Sequence, residues 1–344
     1  MMEAYYYQHM TKQHQAAYHA MKSGFEGLSP SFAVPKLDNR ELSDIFFKLR
    51  LDYPEIFYIT GFSYRFYPQA DHVEMIPEYL FDKNKIRDHQ KALSSRISKL
   101  VRPALSMSIP EKEKYIHDFI CQNVRYDKLK KPYSHEIIGP LGQGVGVCEG
   151  IAKTVKILCD QLGIWCIIAI SEANPEAGIK YRHAWNVVKV DGQYLHLDAT
   201  FDNSLGRDGI IRYDYFHLDD SRLFRDHQPV IYPIPACTQN DRFYYKENKL
   251  SFTKIEDICK RAQMFVRKDL PFIFHWRGGY LTKDTLSEII KALEETAQKK
   301  GKHATISFNY PQAVLCARFP VDLPQETAQQ EEANEGELYS ADNE

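Results

Sequence analysis

An Asp191-Gly192 pair separates two runs of strand-forming residues, 182–190 and 193–199, and no other feature of the 344-residue chain constrains its fold so tightly. Two-residue Asp-Gly loops favour tight hairpins because both central residues must take positive φ. Such a turn fixes the register, with Val190 opposite Gln193, Val187 opposite His196 and Trp185 opposite Asp198. His183 and Asp198 then share one face as diagonal neighbours, about 7–8 Å apart at Cα and within reach of long side chains. The apolar flanks Ala184, Trp185, Val187, Val188, Leu195 and Leu197 predict a covered hairpin. An imidazole and a carboxylate therefore meet on it, and the carboxylate can fix the ring tautomer. His196 is the rival base, but the register sets it opposite Val187, further from the end that carries Asp198.

Upstream, Gly142-Gln143-Gly144-Val145-Gly146-Val147 leads into Cys148-Glu149-Gly150 and a helical stripe of Ile151, Val155, Leu158, Cys159 and Leu162, with Gly163 as its stop. A glycine-rich approach lets the chain turn sharply, and places the Cys148 thiol at a helix start. Unpaired peptide N–H groups and the helix dipole favour the thiolate there and can stabilise an oxyanion. A structural cysteine at a tight turn is the alternative. The other cysteines, at 121, 159, 166, 237, 259 and 316, show no zinc-knuckle spacing. An odd total argues against a disulfide framework, so neither metal nor cofactor is expected.

Helical periodicity is read over 8–23, 39–51, 83–101 and from 110, where Pro110 fits a first turn. Strands are expected at 55–60, 62–68 and 72–79. Residues 244–319 read strand, helix, strand, helix, strand, strand, with Thr253 and Glu256 at capping-box spacing and a stripe of Leu286, Ile289, Ile290 and Leu293. The expected organisation is an N-terminal mixed α/β module (1–105), a core (106–228), a proline-marked linker (229–243), a small α/β module (244–322) and an acidic disordered tail (323–344).

Net charge is −2, yet 325–344 alone holds seven acidic residues and no Lys or Arg, which leaves +5 on the rest. So weak a balance does not argue for nucleic acid. No apolar run approaches the ~20 residues of a membrane span. The start, MMEAYYYQHMTKQHQ, has no signal-like apolar region, and a cytoplasmic location is expected.

Three stretches in order resemble the transglutaminase-like superfamily, a branch of the papain-like cysteine enzymes. They are KYIHDFICQNVRYD, GVGVCEGIAKTVKILCDQLGIWC and RHAWNVVKVDGQYLHLDATFDN, with gaps of 35 and 15 residues between Cys148, His183 and Asp198. The resemblance implies an α+β fold in which a nucleophile helix packs on an antiparallel sheet, flanked by α/β modules. It also implies a triad: Cys148 as nucleophile, His183 as general base and acid, Asp198 as orienting carboxylate. Ile151 stands where Tyr is frequent in the family, and Phe201 where Trp is common. Gln143 is the candidate oxyanion side chain. DYPEIFYI resembles segments preceding this domain in bacterial proteins, which implies a bacterial source.

Two functions follow as expectations. The first is a thiol enzyme that acts on amide bonds of a protein or peptide through a Cys thioester, released by water in a peptidase or amidase, or by an amine in a transglutaminase. The zinc-binding CxxC pairs of a glycan-removing amidase are absent. The second is a catalytically silent scaffold that binds protein or cell-wall peptide. Oligomeric state is not legible.

Overall fold

The computed structural model describes residues 4–321, which sort into two units that divide between Phe243 and Tyr244. The expected tail, 323–344, lies outside the described residues. The fold class is α+β, as the sequence implies.

The first unit begins with α1 (Tyr5–Gln8) and α2 (Lys12–Glu26), where a single helix over 8–23 is expected. Thr11 separates them: its hydroxyl accepts the His14 N–H and starts a new helix. After β1 (Phe32–Pro35) comes α3 (Asn39–Asp52), opened by a capping box between Asp38 and Glu41 and buried along Leu42, Ile45, Phe46 and Leu49. The hairpin β2 (Ile59–Phe66) and β3 (His72–Tyr79) completes an antiparallel sheet of order β1-β3-β2. Gly61, expected to separate two strands, instead lies inside β2 beside a bulge, where a Cβ would stand 2.7 Å from the Glu78 carboxylate. Helices α4 (Lys83–Val101) and α5 (Ile109–Asn123) follow, the second capped by Ser108 and Glu111.

Two short parallel strands, β4 (Arg125–Tyr126) and β5 (Val145–Gly146), close a loop that contains a π-helical turn ended by Gly144 at φ +65°. The chain then enters α6 (Cys148–Leu162), buried along most of its length and stopped by Gly163 at φ +73°. Helix α6 packs on an antiparallel sheet of β6 (Cys166–Ile170), β7 (Ala184–Val190), β8 (Gln193–Leu197) and, beyond α7 (Ala199–Leu205), β9 (Phe216–Leu218). Asp191 and Gly192, at φ +48° and +83°, form the expected turn. Val190 faces Gln193, Val187 faces His196 and Asn186 faces Leu197, the register read from the sequence. Asn186 ties helix to sheet: its amide donates to Ala152 O at 3.0 Å and to Ile167 O at 3.3 Å. Helix α8 (Asp220–Leu223) follows.

A buried quartet fixes the start of α6. Lys153 Nζ lies 2.8 Å from both Glu136 and Glu149, and Arg50 from α3 pairs with Glu136 and approaches Glu149 at 3.8 Å. Two cations balance two carboxylates, the condition under which such charges tolerate burial.

The second unit holds α9 (Tyr244–Glu247), β10 (Ser251–Phe252), α10 (Ile255–Lys268), β11 (Phe272–Trp276), α11 (Lys283–Gln298), β12 (Thr305–Asn309) and β13 (Val314–Arg318). Its sheet has the order β10-β11-β13-β12, and its core gathers Ile258, Val266, Phe272, Phe274, Ile289 and Leu293. The Thr253–Glu256 box is not formed. Phe252 is still paired to β11, so the helix starts later, with Lys254 at its N-cap. Ile290, read as part of the α11 stripe, is exposed at 37%. Among the described residues no helix is long and apolar enough to cross a membrane.

Gly150 shows how closely α6 approaches its loop: a Cβ there would stand 2.2 Å from the Ser134 carbonyl oxygen. Gly150→Ala is expected to cost about 1–3 kcal/mol through forced backbone movement. At on the order of 2–4 °C per kcal/mol, the melting temperature should fall by several degrees. Gly142→Ala, whose Cβ would meet only a side chain at 3.5 Å, is the control. Equal melting temperatures for the two variants would contradict this close approach.

Candidate active site

Cys148 is the first residue of α6 and is partly buried. The preceding Val147 is extended and spends its N–H on Ser134 O at 3.0 Å. The N–H groups of Cys148, Glu149 and Gly150 have no intrahelical acceptor, as at any helix start. Asp127 organises the loop beneath them, accepting the Ser134 hydroxyl and the N–H groups of Leu129 at 3.1 Å and Lys131 at 3.0 Å. Glu149, beside the cysteine, is turned into the quartet and also meets His135 Nδ1 at 3.2 Å. Burial opposes its ionisation, yet Lys153, His135 and Arg50 hold its carboxyl well below the usual range.

His183 and Asp198 meet as the hairpin register requires, with His183 Nε2 at 2.6 Å from Asp198 Oδ2. Asp198 is wholly buried, and its Oδ1 accepts the N–H groups of Thr200 at 2.9 Å and Phe201 at 3.0 Å, capping α7. Burial acts to lower the His183 pKa, but the Asp198 charge and hydrogen bond, with the neighbouring Cys148 side chain, push it up to about 10. Burial likewise works against the Asp198 carboxylate, but His183 and His227 hold its pKa well below the ordinary value. With Nε2 committed to Asp198, Nδ1 is the nitrogen left for the thiol. The ring stacks near Trp185, at 5.9 Å and 17°, and Phe201 stands 4.8 Å away.

Cys148 and His183 line a cleft of about 790 Å³. Tyr126, Val147, Ile179 and Phe201 form apolar walls, while Lys130, Lys180 and Arg182 bring positive charge. Lys130 Nζ sits 3.7 Å from the centre of the Tyr181 ring.

Gln143 is not placed with these residues. It is exposed at the end of the π-helical turn and does not line the cleft, because the left-handed Gly144 turns the chain before it reaches Cys148. His196 is buried elsewhere on the hairpin. Its Nδ1 accepts the Trp185 indole N–H at 3.1 Å and its Nε2 faces Asp220 Oδ1 at 2.9 Å. Because Nδ1 accepts a hydrogen bond, the ring proton belongs on Nε2, and burial lowers the pKa of the ring.

The sequence reading missed His227, whose Nε2 lies 2.9 Å from the same Asp198 Oδ2. The residue follows α8 just before Pro229, and only the dipeptide Asp226-His227 marks it in the sequence. A second thiol, imidazole and carboxylate meet away from the cleft, where Cys121 Sγ and Asp202 Oδ2 both approach His117 Nε2, at 3.7 and 3.0 Å, and join α5 to α7. Burial raises the Cys121 thiol, which is the form of a packing group rather than a nucleophile.

Two groups bring three potential metal donors within 4.8 Å: His183, Asp198 and His227, and His196, Asp220 and Cys237. In the first, the N–O separations of 2.6 and 2.9 Å are those of hydrogen bonds. Donors on one tetrahedral zinc, each bonded at 2.0–2.1 Å, stand about 3.3 Å apart. In the second, the His196 nitrogen that faces Asp220 carries the proton. Both groups are hydrogen-bonded clusters.

His183 owes its raised pKa to the fold, so its contribution to stability is complete below the unfolded value of about 6.5 and disappears as pH rises through about 10. The stability deficit of His183→Asn should therefore be largest near pH 6 and shrink toward pH 10, as measured by denaturant unfolding. A deficit that grows over this range would contradict the ion pair.

Residues 92–199 match the model of the transglutaminase-like superfamily. No curated protein matches the chain. Among solved structures, a TGase is similar at 11% identity and a TM-score of 0.29, over 41% of this chain and 44% of that one. A candidate cysteine protease of Cytophaga hutchinsonii is similar at 15% identity and a TM-score of 0.27, over 41% and 61%. For a candidate protease of Parabacteroides distasonis the values are 14% and 0.24, over 42% and 37%. The alignments thus span less than two thirds of each of these solved chains. The stretch that matches the transglutaminase-like model carries Cys148, His183 and Asp198.

Proposed function

We propose that the chain is a thiol enzyme that cleaves amide bonds of a protein or peptide substrate through an acyl-thioester on Cys148. One observation carries this reading: a cysteine at a helix start shares a cleft with a histidine whose far nitrogen is held by a buried carboxylate. In the first step the Cys148 sulfur attacks the amide carbonyl carbon, and the carbonyl electron pair moves to oxygen. First-turn N–H groups of α6 are the available donors to that oxyanion. As the tetrahedral species collapses, the C–N bond breaks and the amine leaves with a proton from His183. Asp198 keeps the ring oriented throughout. In the second step His183 takes a proton from water or an amine, which attacks the thioester carbon. The C–S bond then breaks with its electron pair going to sulfur, and the products are an acid or a new amide and the free Cys148, its proton shared with His183.

Hydrolysis is the favoured outcome, because Lys130, Lys180 and Arg182 around the cleft disfavour a second substrate that is itself a cationic amine. The test is acid-quenched mass spectrometry on casein, glutamine peptides and peptidoglycan peptides, each with and without a fluorescent primary amine. The expected result is an acyl adduct on Cys148, lost in Cys148→Ala, with free acid rather than amine-labelled product. His183→Ala should lower turnover by at least about 10²-fold, while His196→Gln leaves it within a few-fold in folded protein. No adduct and no turnover on any substrate would contradict the proposal and favour the scaffold reading.

A further inference from the structure

Asp198 serves two imidazoles with one oxygen. Its Oδ1 is occupied by the two backbone N–H groups that start α7, so Oδ2 alone receives His183 Nε2 at 2.6 Å and His227 Nε2 at 2.9 Å. The two ring centres are 5.3 Å apart. His227 has a fully buried side chain, walled by the rings of Phe201 at 4.5 Å, Trp185 at 5.2 Å and Tyr215 at 5.6 Å. Its other nitrogen, Nδ1, faces Asp226 Oδ1 at 2.8 Å, and the second Asp226 oxygen accepts the Tyr215 hydroxyl at 2.5 Å.

Both nitrogens of His227 thus point at carboxylate oxygens. Only the imidazolium has a proton for each. A neutral ring would leave one nitrogen lone pair against a carboxylate in a buried site, which is costly. His227 is therefore a second positive charge on the Asp198 oxygen that His183 uses, with its ring centre 5.3 Å from that of His183.

We infer that His227 is a positioning residue that draws on the Asp198 carboxylate and so loosens its hold on the His183 proton. The inference rests on the thiol-enzyme reading above. A carboxylate dedicated to one imidazolium holds it so firmly that the ring becomes a poor acid toward a leaving amine. A second cation on the same oxygen weakens that hold while leaving the ring oriented. When the C–N bond breaks, its electron pair goes to nitrogen and the proton passes from His183. Asp198 then keeps one cationic partner, His227, and is not left as an uncompensated buried charge. The other titratable and charged groups around the pair include Cys148, Tyr126, His135, Lys130, Lys180, Tyr181 and Arg182 in the cleft, and His196 against Trp185.

The test uses the full chain labelled with ¹⁵N-histidine, and follows His183 by NMR titration in the wild type, His227→Gln and Asp226→Asn. His227→Gln keeps a hydrogen-bond donor toward Asp198 but removes the charge. The His183 midpoint should rise by at least about half a pH unit. Asp226→Asn removes the carboxylate that faces the second His227 nitrogen. It should shift the midpoint in the same direction by less, and it decides the matter if His227→Gln does not fold. A midpoint that stays or falls in the folded variants would overturn the inference and leave His227 a packing residue. A separate arm, iodoacetamide labelling of Cys148 in His183→Gln at pH 6, tests the underlying reading. Labelling as fast as in the wild type would overturn that reading whatever the titration shows.

Discussion

A single buried carboxylate, Asp198, holds the site together. It accepts four hydrogen bonds, from the Thr200 and Phe201 backbones and from His183 and His227. These come from the start of α7, the entry to β7 and the segment after α8, so three separate parts of the chain converge on one side chain. A carboxylate with no exposed surface is tolerable only when its charge is matched and its lone pairs are filled. Removing one partner of such a group costs about 3–5 kcal/mol. Stability and chemistry are therefore bound together at Asp198 and at its partner His183.

The other half of the site depends on a different balance of charge. Cys148 is placed by α6, and α6 is placed by Lys153, Glu136, Glu149 and Arg50. Arg50 belongs to α3, so the N-terminal layer contributes a charge to the helix that presents the thiol. Glu149 would be an unhelpful neighbour for a thiolate if it faced the cleft with an unmatched charge. Its engagement with Lys153 and Arg50 neutralises it, and the apolar walls and cations of the cleft then dominate the surroundings of Cys148.

Local turn chemistry made much of this arrangement legible in the sequence. Asp191-Gly192 leaves one register for the hairpin, and that register brings His183 to Asp198 without further information. The glycines before Cys148 and Gly163 after Leu162 mark both ends of α6, and Gly150 has its own reason in the approach of Ser134. Other features depend on contacts that no local pattern encodes. Strand β1 has four residues and ends in proline, too short for alternation to show. Gly61 reads equally as a break or a bulge until its partner strand is known. Gln143 is near Cys148 in sequence, but a left-handed glycine lies between them and turns the amide outward. His227 is 29 residues from Asp198 and belongs to no periodic element, so only the tertiary fold unites them.

The central claim is that His183, held by Asp198, activates the Cys148 thiol. The most direct measurement is the rate of Cys148 alkylation by iodoacetamide at pH 7, by peptide mapping, in the wild type and in His183→Gln. The wild type should label Cys148 before the other six cysteines and at least about tenfold faster than His183→Gln does. Equal rates for the two proteins, with Cys148 accessible in both, would contradict the account.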